Sequence, residues 1–225
     1  MAFVFSYWWL IIPAIVLGFI AQSRVRSTYR KYSKVKTRNG ISGAEMGRYI
    51  LDSHNLGDVS IEPISGTLTD HYDPRRKKLG LSQGVYGGKS VAALGIAAHE
   101  AGHAIQHARS FTPLTIRNFL YPISSFGSKL GPILVIAGLF LGSIPVLIDI
   151  GIILFSFAVV FTVITLPVEF NASANAVNVL SKSGRVTAEE LQGAKKVLNA
   201  AALTYVASAL ASVLTLVRLI LLSRH

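Results

Sequence analysis

Residues 130–170 read LGPILVIAGLFLGSIPVLIDIGIILFSFAVVFTVITLPVEF. No charged side chain lies between Leu130 and Asp149, and none between Ile150 and Val168. A helix needs roughly 20 apolar residues to cross the hydrocarbon core of a bilayer. The two runs, 130–148 and 150–167, therefore read as two membrane spans, with Asp149 marking a tight turn between them. Two further runs share this character, residues 3–20 and 201–222, with Arg218 the main exception. Four transmembrane helices follow, and the expected fold class is mainly α.

The whole composition agrees. Hydrophobic residues make up 51% of the chain and charged residues 15%, against about 25% charged in an ordinary soluble domain. The net charge is +11, and 7 of the 22 basic residues fall between Arg24 and Arg38. A basic cluster directly after a span marks the cytoplasmic side of a membrane and touches anionic lipid heads. This reading is preferred to nucleic-acid binding, so the expected partner is the lipid bilayer. Because the charge follows the apolar run instead of preceding it, the first span reads as a retained anchor, with its N-terminus outside, and not as a cleaved signal peptide. Residues 21–129 and 168–200 then lie on the cytoplasmic side, and Arg218, Arg224 and His225 towards the outer face. The expected location is the cell (inner) membrane, multi-pass. The sequence sets no oligomeric state.

Between the first two spans the chain changes character. Ser42–Glu45, SGAE, is a capping box, in which a Ser hydroxyl and a Glu three residues later satisfy each other's free amides. It predicts a helix to about His54. VSIEPI (59–64) and KKLGLS (77–82) read as short strands, with a turn at Asp73–Arg76. YGGKS (86–90) reads as a loop in which Ser90 caps the next helix. A second capping box at Thr187–Glu190 starts a helix that runs into the fourth span. That span carries Ala207, Ser208, Ala211 and Ser212, small residues that let membrane helices pack closely.

The helix after Ser90 contains AALGIAAHEAGHAIQHARS, residues 92–110. His99, Glu100 and His103 fit H-E-x-x-H. Two His four apart share one helix face and can reach one metal, while the intervening Glu sits beside it as a proton acceptor for water. With six His and six Glu in the chain, chance produces such a match on the order of once in several hundred chains. Two imidazoles and a carboxylate among Ala, Ile and Gly would also be costly without partners. The chain has no Cys, so a metal must be held by His and carboxylate.

A catalytic zinc takes three protein ligands and keeps one position open. The longer motif H-E-x-x-H-x-x-G-x-x-H is excluded, because Gln106 and Arg109 stand at its last two fixed places. His107 lies too far along the same stripe to share the ion. It reads as a surface or supporting residue. Glu169 is the better third ligand. It follows the third span on the side where His99 and His103 precede the second, and a carboxylate at a membrane edge is functional by default.

The stretch LTDHYDPRRKKLGLSQGVYGGKSVAALGIAAHEAGHAIQH, together with LPVEFNAS, resembles the YugP-type neutral zinc metallopeptidases of bacterial membranes. The resemblance covers nearly the whole chain. It extends more distantly to the HtpX and CAAX-prenyl-protease group. It implies that His99, His103 and Glu169 bind Zn2+ and that Glu100 is the general base. It implies a single membrane metallopeptidase domain over 1–225, with a small α+β zincin-like cytoplasmic portion formed by 40–110 and 168–200. In the family pattern the residue two after the ligand Glu is usually Asp. Here it is Asn171, expected to orient a ligand His more weakly than a carboxylate does. The more distant group has Asp four after its Glu, where this chain has Ser173.

The expected activity is peptide-bond hydrolysis on membrane or membrane-proximal protein substrates. His71, Tyr72 and Tyr86 are candidates for steadying the oxyanion, and the strand KKLGLS for pairing with an extended peptide. The rival reading is a zinc-binding membrane scaffold without catalysis. Glu100 speaks against it, since a scaffold needs no base beside its metal.

Overall fold

The computed structural model describes residues 6–141 and 144–224. After a 3-10 turn at Trp8–Leu10, the helices are α1 (Ile12–Tyr32), α2 (Gly43–Asp52), α3 (Gln83–Tyr86), α4 (Val91–Ala108), α5 (Thr112–Phe140), α6 (Pro145–Lys182) and α7 (Ala188–Ser223). The strands are β1 (Ser60–Ile64), β2 (His71–Asp73) and β3 (Lys78–Ser82). The protein is mainly α, with four helices long and apolar enough to cross a membrane and a small α+β part. Those helices are Trp8–Tyr32, Thr112–Phe140, Pro145–Lys182 and Ala188–Ser223. Residues 3–5 of the expected first span lie outside the described residues, as does His225.

Two boundaries differ from the sequence reading. α5 ends at Phe140 and α6 begins at Pro145, so Asp149 lies within the third long helix and not at the turn between the second and third. Asp149 is exposed and one turn inside α6. Pro145 decides this: its fixed φ and missing N–H suit the first position of a helix, and an acid near that positive end is tolerated. The second apolar helix correspondingly begins at Thr112, well before Leu130. Past Pro167, the expected end of the third span, α6 continues as helix to Lys182. A Pro removes one backbone bond locally, and a long apolar helix absorbs that more readily than it ends.

The chain forms two compact units. One comprises the described residues up to Ala21, with Thr115–Pro167 and Leu203 onward; the other comprises Gln22–Leu114 and Val168–Ala202. In the first unit α5 and α6 form an antiparallel hairpin through glycines. A Cβ added at Gly127 would meet the carbonyl of Leu154, and one at Gly131 would lie 2.8 Å from the carbonyl oxygen of Gly151. The reverse approach, from Gly151 to the carbonyl oxygen of Gly131, is 2.6 Å. Small residues let helices in lipid gain dispersion contacts that bulky ones forbid.

The second unit has its own core. Both predicted capping boxes are formed, by Ser42 with Glu45 and by Thr187 with Glu190. Glu190 also accepts from the Arg38 amide at 2.6 Å. The three strands lie in the order β1-β3-β2, with β1 parallel and β2 antiparallel to β3. Leu79 and Leu81 of β3 are fully buried beside Met46, Ile50 and Leu51 of α2 and Leu94 and Ile105 of α4. The strand KKLGLS is therefore central and paired on both sides, and it has no edge left for a peptide. Among the described residues, the outer edge of β2 is unpaired.

The α5–α6 approach gives a direct test. Gly131→Leu is expected to destabilise the protein by roughly 1–3 kcal/mol, the cost of overpacking a close contact. Gly18→Leu, where a Cβ meets nothing within 4 Å, is expected to leave thermal unfolding in detergent unchanged. Equal melting of the two variants would show that the glycines do not set the hairpin.

Candidate metal centre

The site grows from α4. The Ser90 hydroxyl accepts from the Ala93 amide at 3.2 Å and caps the helix, as its sequence predicts. The helix then presents His99 and His103 one turn apart, their rings edge to face with centroids 4.8 Å apart. Its other turns are small residues. Ala97, Ala98, Ala101 and Ala104 are buried, and a Cβ at Gly102 would lie 2.7 Å from the carbonyl oxygen of Ala172 on α6. This approach brings Glu169 of α6 against both imidazoles.

Glu169 Oε2 lies 3.2 Å from His99 Nε2 and 3.6 Å from His103 Nε2. One candidate ligand atom from each of the three residues falls within 4.8 Å of the others. Glu169 is 2% exposed and His103 9%. Ligands bonded to one tetrahedral zinc at about 2.0–2.1 Å sit roughly 3.3 Å apart. The two carboxylate–imidazole separations match that spacing.

The ring nitrogens facing away from the cluster are all engaged. His99 Nδ1 pairs with the Ser173 hydroxyl at 3.1 Å. His103 Nδ1 pairs with Gln106 Oε1 at 3.0 Å. Gln106 Nε2 donates to the Val168 carbonyl at 2.7 Å and to Asn171 Oδ1 at 2.9 Å, and Asn175 Nδ2 donates to the same Asn171 oxygen at 3.1 Å. A buried carboxylate facing two Nε2 atoms requires positive charge between or upon them. Burial alone pulls the pKa of His103 down; Glu169, Glu100 and Gln106 together push it up more strongly, so the net shift is upward. The donor set, two imidazoles and one carboxylate without thiolate, suits Zn2+.

Glu100 follows His99 on α4 and is half-buried. Among the described residues none hydrogen-bonds or ion-pairs with its carboxylate. Its charge is felt at His103.

The remaining sequence candidates are placed as follows. Tyr72 lies on β2 opposite Leu79, and its hydroxyl pairs with His107 Nδ1 at 2.9 Å. His107 thus stands outside the ligand group. His71 alternates to the other face of the strand. It is exposed, and its Nδ1 bonds the Thr69 carbonyl at 2.9 Å. Tyr86, the first residue of the stretch 86–90 that reads as a loop in the sequence, ends the short helix α3 and packs against the core. Among the described residues, no hydrogen bond or ring contact joins His71 or Tyr86 to the ligand group. Asn171 does not touch a ligand His directly; it acts on Gln106. Gln106, 1% exposed, is the residue that sequence reasoning passed over. Its position three after His103 on one helix face was the available signal.

The close approach at Gly102 is testable. Gly102→Ala is expected to lower metal affinity about tenfold or more by pushing α6 and Glu169 away, in line with an overpacking cost of roughly 1–3 kcal/mol. Gly57→Ala, where a Cβ meets nothing within 4 Å, serves as the unchanged control in the same metal titration. Unaltered affinity in Gly102→Ala would show that Glu169 does not depend on this contact.

Comparison with known proteins agrees with this geometry. The sequence profile of the family described as "putative neutral zinc metallopeptidase" matches residues 7–224. The chain is 49% identical over 213 residues to the Bacillus subtilis (strain 168) protein named "Putative membrane protease YugP", covering 95% of this chain and 94% of that one. No solved structure matches. The chain belongs to the putative neutral zinc metallopeptidase family.

Proposed function

We propose that the protein is a membrane-embedded, zinc-dependent endopeptidase in which His99, His103 and Glu169 hold the metal and Glu100 is the general base. The observation that carries this reading is the convergence of three ligand atoms beside a half-buried carboxylate that has no partner among the described residues. The proposed catalytic portion, 40–110 with 168–200, supplies all of these residues.

Zinc, when bound, acidifies water and polarises a scissile carbonyl. The protein's own residues do the rest. Glu100 takes the proton of the attacking water on its carboxylate and delivers it to the leaving amine. Gln106 and Ser173 hold the imidazoles. Tyr72, anchored by His107, is the oxyanion candidate on the side of the sheet that faces α4. The free edge of β2 suits an extended peptide, which would add as a fourth strand. Glu169 stands on the same unbroken helix as the apolar run ending at Pro167. This supports protein substrates in or beside the membrane.

The test compares wild type with Glu100→Gln and Glu169→Gln, each purified in detergent, for zinc content and cleavage of casein. Wild type and Glu100→Gln are expected to bind zinc, with cleavage by Glu100→Gln lower by about a hundred- to ten-thousand-fold. Glu169→Gln is expected to hold zinc weakly. If no variant binds zinc, the metal reading fails. If wild type binds zinc and cleaves no protein offered, the scaffold reading replaces it.

The proposed orientation puts the site in the cytoplasm of a cell with this inner membrane. It rests on Arg24, Arg26, Arg30, Lys31, Lys34, Lys36 and Arg38, all exposed. The absence of Cys makes single-cysteine labelling clean. In intact cells an impermeant maleimide is expected to label Asp149→Cys, and to label Arg75→Cys only after permeabilisation. The opposite pattern would place the site outside.

A further inference from the structure

We propose that Gln106 is a positioning residue that holds His103 as its Nδ1–H tautomer, turning Nε2 towards Glu169, and that Asn171 acts on the site only by holding Gln106. This rests on the metal reading above and extends it to residues with no metal-binding chemistry of their own.

The hydrogen bonds leave one consistent assignment. The Val168 carbonyl can only accept, so the Gln106 atom 2.7 Å away is its amide nitrogen. The same nitrogen has a second acceptor in Asn171 Oδ1 at 2.9 Å. Both of its protons are thereby used. The Gln106 oxygen must then face His103 Nδ1 at 3.0 Å. A carbonyl oxygen cannot donate, so Nδ1 carries the proton. A neutral imidazole with its proton on Nδ1 has its lone pair on Nε2, the atom 3.6 Å from Glu169 Oε2. The amide orientation is thus fixed from a backbone carbonyl on α6 and transmitted to a ligand atom on α4.

Among the described residues, Asn171 bonds through its oxygen, which accepts from both Gln106 and Asn175. An aspartate there would satisfy the same two donors. The exchange of Asp for Asn at this position therefore keeps the bonding pattern and changes only the charge, at two hydrogen bonds' remove from His103. The arrangement also explains why Gln106 is buried so completely: every polar atom of its side chain has a partner, as burial requires.

The full chain in detergent tests this through metal affinity, measured by competition with a zinc chelator. Gln106→Met, close in shape and without donors or acceptors, is expected to weaken zinc binding about 10- to 100-fold, the usual effect of losing an outer partner of a ligand His. Gln106→Glu, which keeps an acceptor for Nδ1–H but loses the donor to the Val168 carbonyl, is expected to recover part of that loss and to bind zinc between Gln106→Met and wild type. Asn171→Leu is expected to weaken binding in the wild-type background and to add nothing in Gln106→Met. Asn171→Asp is expected to bind zinc at least as tightly as wild type. Wild-type affinity in Gln106→Met, or an undiminished effect of Asn171→Leu in that variant, would overturn the inference while leaving the metal reading intact. A second readout needs no metal. At alkaline pH the imidazole 15N shifts of metal-free wild type are expected to report His103 as the Nδ1–H tautomer, and those of Gln106→Met a mixture. An Nε2–H tautomer in wild type would overturn the assignment whether or not zinc binds.

Discussion

A carboxylate buried to 2% exposure between two imidazoles is the constraint on which the second unit depends. Charge so placed is costly unless an opposite charge meets it. The nearby residues are arranged for that meeting. Alanines and Gly102 thin α4 so that α6 can approach. The capped start of α4 sets where its turns fall. Gln106 and Ser173 occupy the ring nitrogens that face away. What looks in the sequence like a short motif is therefore a contact between two helices, and the motif supplies only one of them.

Much of this was legible because it is periodic or local. The four apolar runs are long enough to leave no other reading, and all four helices are present. The two capping boxes involve residues three apart, and both form. His99 and His103 share a face because a helix repeats every 3.6 residues. The pairing with Glu169 was reached by topology, from two segments expected on one side of the membrane.

The misreadings have a common physical source. Asp149 was read as a turn because a charge interrupts an apolar run. Pro145, four residues earlier, decides instead, since it starts a helix that an exposed acid then decorates. Pro167 marks the end of an apolar run but not of the helix: α6 continues and carries Glu169, Asn171 and Ser173 in register with α4. KKLGLS was read as a strand without knowing its neighbours. Pairing on both sides made it the centre of the sheet and moved the free edge to β2. Gln106 was read only as a residue that is not glycine. Its role depends on a carbonyl from a helix 62 positions away, which no local pattern contains.

The character of the outer partners bears on what a metal held here would do. Ligand histidines are often backed by carboxylates, which push electron density into the ring and make it a stronger donor. Here both partners are neutral, an amide oxygen on His103 and a hydroxyl on His99. The negative charge near the candidate ligand atoms comes from Glu169 and from Glu100, whose carboxylate has no hydrogen-bond or ion-pair partner among the described residues. A cation among these ligands keeps more of its own charge, and so more of its power to polarise water and a carbonyl. It is also held less tightly than a carboxylate-backed set would hold it. Burial offsets that weakness, because the low dielectric around Glu169 and His103 strengthens each remaining interaction. A metal held here would owe its affinity to enclosure by α4 and α6 more than to charge, and this is why the small residues of α4 matter as much as the histidines between them.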